Sequence, residues 1–213
     1  MRILAHRGLW KADQAGNSKE ALRGALAHGF GFESDVRDSG GELVISHNIP
    51  SYDAWPFEQA LDLLEKQGDQ FAFAINIKAD GLKNLLGDAL RRHGIQNYFL
   101  FDMSVPQMVE FAEMGLRFFT RQSEFEKEPV LYEKAAGVWI DGFRTIDWIN
   151  EELLTKHLSA GKDVCLVSPE LHGREHLPFW EMLKAYDGDH SKLYLCTDHP
   201  LEARTFFGDL MGA

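Results

Sequence analysis

Four short stretches of this sequence hold residues that can do chemistry together. His6 is followed by Arg7 and Gly8, Glu33 and Asp35 are two residues apart, His47 follows the run Leu43 to Ser46, and Asn76 and Lys78 are again two residues apart. Residues two apart on a strand project to the same face. Glu33 and Asp35 can therefore share one ion, and the side-chain oxygen of Asn76 can join them. An all-oxygen set of this kind suits a hard divalent cation, Mg²⁺ or Ca²⁺. Two histidines, His6 and His47, can divide general-acid and general-base work on opposite sides of a phosphorus atom. Arg7 and Lys78 can neutralise phosphoryl oxygens as charge develops on them. The chemistry expected is phosphoryl chemistry.

Each residue alone also has an ordinary structural reading. A histidine at a strand end usually packs, neighbouring carboxylates form ion pairs, and a lysine at a rim is solvated. The joint arrangement argues for more, because inward-facing charges at the ends of adjacent strands are costly unless they are paired or bind a metal.

The elements that must position these residues follow from apolar runs alternating with amphipathic stretches. Strands are expected near 2–6, 30–36, 71–78, 97–101, 116–120, 137–141, 163–168 and 193–197. Helices are expected near 17–28, 56–67, 81–93, 104–114, 127–135, 148–159, 175–186 and 199–209. Asn17, Ser104 and Asp147 suit helix N-caps, and Gly29, Gly94, Gly115 and Gly161 suit helix stops. Strict alternation predicts an α/β protein with a parallel sheet. Closure into a single (β/α)8 TIM barrel over 1–213, with the site at the C-terminal ends of the strands, accounts for the strand number. An open doubly wound sheet is the alternative. The stretch 71–78 splits into Phe71, Phe73, Ile75 and Ile77 on one face and Ala72, Ala74, Asn76 and Lys78 on the other.

The remaining strand ends carry Asp102, Arg121, Trp139, Asp141, Ser168 and Glu170. Arg121, Trp139, Asp141 and Glu170 are candidates for a substrate head-group pocket, with ion pairs between strands as the competing reading. Phe125, Phe143, Phe179 and Trp180 can line an apolar wall or fill the core. His28, His93 and His157 fall near helix C-termini, where a cation favours the dipole.

A net charge of −11 disfavours nucleic acid and anionic membranes as partners. No apolar run is long enough to insert stably in a membrane, and the first residues lack a signal-peptide core. The two cysteines, Cys165 and Cys196, lie in apolar runs, as buried reduced thiols do. These features predict a cytoplasmic protein. Nothing in the sequence points to a particular oligomeric state.

The stretches Ala5-His6-Arg7-Gly8, Asn17-Ser18, Phe32-Glu33-Ser34-Asp35-Val36 and Val44-Ile45-Ser46-His47 resemble the glycerophosphodiester phosphodiesterase family. Ile75-Asn76-Ile77-Lys78 and Thr197-Asp198-His199-Pro200 are similar to its later motifs. The resemblance implies a barrel, a divalent cation, and hydrolysis of a glycerophosphodiester-like substrate to a phosphomonoester and an alcohol. His6 and His47 would be the catalytic pair, with Glu33 and Asp35 as metal ligands. Asn76 stands where the family has a third metal carboxylate, Gly16 stands where it has Glu, and Asn48 follows His47 where it has Asp. The segment after His47 reaches the next helix within about ten residues, judged from Pro56, so the usual insertion there is absent. The same constellation suits a phospholipase-like lyase that releases a cyclic phosphate. Asn76 leaves room for a non-catalytic barrel that binds phosphorylated ligands.

Overall fold

Among the described residues, apolar runs rich in β-branched and aromatic residues become nine strands: β1 (Arg2–Ala5), β2 (Gly31–Ser39), β3 (Glu42–Ile45), β4 (Phe73–Ile77), β5 (Tyr98–Phe101), β6 (Phe119–Gln122), β7 (Gly137–Ile140), β8 (Asp163–Val167) and β9 (Leu193–Thr197). The amphipathic stretches become α1 (Lys19–Ala27), α2 (Glu58–Glu65), α3 (Lys83–Arg92), α4 (Val105–Glu113), α5 (Glu151–Ser159), α6 (Leu177–Ala185) and α7 (Pro200–Phe207). The computed structural model describes residues 1–11 and 14–210. The strands form one sheet in the order β5-β4-β2-β1-β9-β8-β7-β6, with β3 antiparallel on β2. A parallel bridge joins Leu100 of β5 to Phe118, the residue before β6. Eight parallel strands ordered in this way, with helices between them, make the expected (β/α)8 barrel rather than an open sheet.

The chain divides into two compact units, Ala5–Phe118 and Met1–Leu4 with Phe119–Ala213. The first carries every residue of the expected catalytic constellation. Its core packs Phe73 against Phe32 and Phe57, with ring centroids 4.7 and 5.8 Å apart. Gly40 and Gly41 both have positive φ, 60° and 88°, which gives the two-residue hairpin its twist and pairs Ser39 with Glu42. Strand β3 is thereby fixed, and it delivers His47.

In the second unit Trp180 is fully buried, 5.6 Å from both Phe206 and Phe207. Phe179 is buried as well, so these two aromatics are core. Phe125 and Phe143 are exposed. Cys165 and Cys196 are free and buried, as expected.

Several local expectations need correction. No helix forms over 127–135. Pro129 biases its predecessor away from helical backbone, and Leu131 is left-handed (φ 52°), so only isolated turns follow. Strand β6 begins at Phe119 rather than 116, because Leu116 N is spent on Phe111 O at the end of α4. Ser104 caps α4 as expected, but α1 is capped by Ser18 and α5 by Asn150, not by Asn17 and Asp147. The four stop glycines all take positive φ, from 64° to 80°.

His157 also differs from expectation. It is not a solvated cation at a helix end but a buried neutral ring. Its Nε2 lies 2.7 Å from Gln122 Oε1 and its Nδ1 lies 3.0 Å from the Tyr132 hydroxyl. Burial, and then Lys156, lower its pKa to about 4. A base whose folded pKa is depressed stabilises the fold fully above its unfolded value, near 6.5, and loses that contribution as pH falls towards 4. In a urea series from pH 7 to 4, the wild-type chain should lose on the order of 2 kcal/mol more stability than His157→Gln. Parallel pH profiles would rule out this linkage.

Candidate active site

The residues that carry chemistry arrive on consecutive segments of the first unit. β1 ends at Ala5, and a turn closed by Gly8 N donating to Ala5 O presents His6 and Arg7. Arg7 is left-handed (φ 55°) and Gly8 has φ 87°. A Cβ on Gly8 would lie 2.5 Å from the Ala21 carbonyl carbon, so the turn packs directly on the backbone of α1. β2 supplies Glu33 and Asp35, both essentially buried. β4 lies beside β2 with Asn76 opposite Asp35 and Ala74 opposite Glu33, and the small alanine leaves space by the glutamate.

Contacts tie most of the constellation together. Arg7 N donates to Glu33 Oε2 at 3.2 Å, and the same oxygen lies 3.9 Å from His6 Nε2. Asp35 Oδ2 lies 3.4 Å from Arg7 Nε, and Asp35 Oδ1 lies 3.4 Å from Lys78 Nζ. Lys78 also stands 4.0 Å from Asp102. Asp35 Oδ1 and Asn76 Oδ1 are both buried and accept no hydrogen bond. His6, Arg7, Glu33, Asp35, Asn76 and Lys78 thus lie on or just after the strands β1, β2 and β4, most of them joined by direct contacts.

His47 is placed differently. Ser46 N donates to Asp35 O at 3.1 Å, so His47 begins one residue beyond that bond. Its side chain is exposed, and its Nδ1 lies 3.0 Å from Asn48 Oδ1. An amide oxygen at Nδ1 favours the tautomer that leaves Nε2 as the basic nitrogen.

The electrostatics follow from burial. Desolvation raises Glu33 most, Asp35 raises it further, and His6, Arg7 and Lys78 oppose both, leaving its pKa at about 7.

Sequence reasoning gave Asn17 only a capping role. Its side chain instead bonds Asp35, with Nδ2 donating to Oδ2 at 2.7 Å. The signal was the adjacent Ser18, which can cap α1 and frees Asn17 for other work.

The proposed head-group residues lie in the second unit with neighbours of their own. The Arg121 guanidinium pairs with Glu126 and lies over the Phe143 ring. Asp141 accepts from His172 Nε2 at 2.7 Å. Glu170 accepts from Ser168 Oγ, Thr197 Oγ1 and Asp198 N. Trp139 is buried on β7. Elsewhere His93, the C-cap of α3, lies 3.6 Å from Asp62 and 3.2 Å from Glu65 on the surface of the first unit.

Solved structures share this fold. A glycerophosphodiester phosphodiesterase from Parabacteroides distasonis ATCC 8503 matches with a TM-score of 0.71 at 17% identity, over 98% of this chain and 97% of that one. A glycerophosphodiester phosphodiesterase from Agrobacterium tumefaciens str. C58 matches with 0.67 at 16%, over 99% and 98%. A glycerophosphoryl diester phosphodiesterase from Parabacteroides distasonis matches with 0.74 at 12%, over 100% and 87%. The chain shares the fold of these phosphodiesterases. No protein-family model matches it, nor does any curated protein sequence. Among the described residues, no helix is long and apolar enough to cross a membrane.

Proposed function

We propose that this chain is a divalent-cation-dependent phosphodiesterase that hydrolyses a glycerophosphodiester-like substrate to a phosphomonoester and an alcohol. The observation that carries this reading is the buried pair Glu33 and Asp35 between Arg7 and Lys78, with His6 at its edge. Two buried carboxylates are costly without strong compensation, and two buried oxygens on residues paired in register, Asp35 Oδ1 and Asn76 Oδ1, accept no hydrogen bond. A hard cation fits this donor set, with Glu33, Asp35 and Asn76 as its protein ligands. When bound, it would polarise a phosphoryl oxygen and offset the charge that develops there.

The chain's own residues do the rest. Arg7 and Lys78 orient the phosphodiester and balance its negative oxygens. His6 and His47 act as the acid–base pair, one taking a proton from the attacking water and the other giving one to the leaving alcohol. Arg121, Trp139, Asp141 and Glu170 belong to the same proposal as head-group residues. Alcohol preference in Arg121→Gln, compared with the wild-type chain, reads their contribution.

A panel of phosphodiesters assayed with Mg²⁺, Ca²⁺ and Mn²⁺ tests this function. Turnover is expected to vanish with EDTA and to yield a phosphomonoester. A cyclic phosphate that persists would move the chain to the lyase class, and binding without turnover under any cation would make it a non-catalytic barrel. Asn76→Glu restores a third carboxylate and should tighten cation binding by about tenfold, or roughly 1.4 kcal/mol. Unchanged affinity in that variant would remove Asn76 from the ligand set.

A further inference from the structure

Asn17 is held in an unusual way for a residue at the mouth of a helix. Its backbone is left-handed (φ 61°), although the cap itself is Ser18. Its main chain is tied at both ends: Asn17 N donates to Arg7 O at 2.8 Å, and Asn17 O accepts from Trp55 Nε1 at 2.7 Å. Its side chain is tied as well. Nδ2 donates to Asp35 Oδ2 at 2.7 Å, and Oδ1 accepts from Ser34 Oγ at 2.7 Å and from Asp35 N at 3.4 Å.

These partners allow one orientation of the amide. The flipped form would set an oxygen against the Asp35 carboxylate and an NH₂ against the Asp35 backbone N–H. With Oδ2 engaged by Asn17 and flanked by Arg7, Oδ1 is the Asp35 oxygen that accepts no hydrogen bond. We propose that Asn17 is a positioning residue that fixes the rotamer of Asp35 so that Oδ1 serves as the cation ligand, and that Trp55 holds Asn17 in register. This inference rests on the cation site proposed above. Outer-shell groups that orient a ligand oxygen tune affinity without touching the ion.

The test is Mn²⁺ affinity by titration calorimetry without substrate, with circular dichroism confirming the fold of each metal-free variant. Asn17→Gly keeps the positive φ at no steric cost and deletes the amide. It should bind Mn²⁺ about 10–100-fold more weakly. Asn17→Asp keeps the side-chain shape but replaces the donor with an acceptor, and it should lose affinity to a similar degree. Trp55→Phe removes the indole N–H together with the pyrrole ring and should show a smaller loss in the same direction. Should Asn17→Gly fail to fold, the other two variants carry the test. Wild-type Mn²⁺ affinity in the folded variants, with only their melting temperatures lowered, would make Asn17 purely structural and overturn the inference. A wild-type chain that binds no Mn²⁺ would overturn the cation site itself, and this inference with it.

Discussion

His6→Ala and His47→Ala should each lower kcat on the preferred phosphodiester by about 10²–10⁴-fold, the range a positioned acid or base contributes. That corresponds to roughly 3–5 kcal/mol of transition-state stabilisation. The two rings are held differently. His6 Nε2 lies 3.9 Å from a buried carboxylate oxygen, whereas the exposed His47 has the neutral amide of Asn48 at Nδ1. Neither belongs to the oxygen set proposed for the cation, so Mn²⁺ binding should survive both substitutions. KM should move little, because the lost interactions form as protons move. A kcat within a few-fold of wild type in either variant would remove that histidine from the chemistry, and lost Mn²⁺ binding in His6→Ala would reassign it as a ligand.

Gly8→Ala should be the most damaging single-methyl change to the fold of the first unit. The added Cβ would sit 2.5 Å from Ala21 C, 2.7 Å from Ala21 O and 2.8 Å from Leu22 N, at a backbone φ of 87°. All three atoms belong to helix backbone, which cannot swing aside as a side chain can. The left-handed conformation alone costs about 1 kcal/mol for alanine, and the clash adds to it, so about 3 kcal/mol or more of destabilisation is expected by urea unfolding. Gly29→Ala is the control, since φ there is 79° but nothing lies within 4 Å of a new Cβ. It should cost about 1 kcal/mol. Equal losses in the two variants would show that φ, not the close approach of the His6–Arg7 turn to α1, sets the requirement for glycine.

The strand ends were legible in the sequence because period-two alternation survives there. Glu33 with Asp35, and Asn76 with Lys78, share faces by spacing alone, and the parallel register brings Asp35 beside Asn76. Helix ends were less legible, because several polar residues near each start can cap. Only the tertiary structure shows that Asn17 is committed to Asp35 and that Ser18 is left to cap α1. The missing helix at 127–135 was hidden for a similar reason. Its composition permits a helix, but Pro129 and the left-handed Leu131 do not. His157 was misread because proximity to a helix end is visible in a sequence, whereas its contacts with Gln122 and Tyr132 are made over long separations.

The short path from His47 to α2 has one more consequence. β3 pairs with β2 on one side only, and a strand with a free side is a template on which other chains can add. Here the returning segment covers that side: Ile45 N donates to Trp55 O at 2.9 Å, Phe57 N donates to Leu43 O at 2.9 Å, and Val44 bridges Pro56. A proline at the bridge also offers no N–H for further pairing. The segment Trp55 to Phe57 thus acts as an edge guard, protecting the chain from aggregation through the strand that delivers His47.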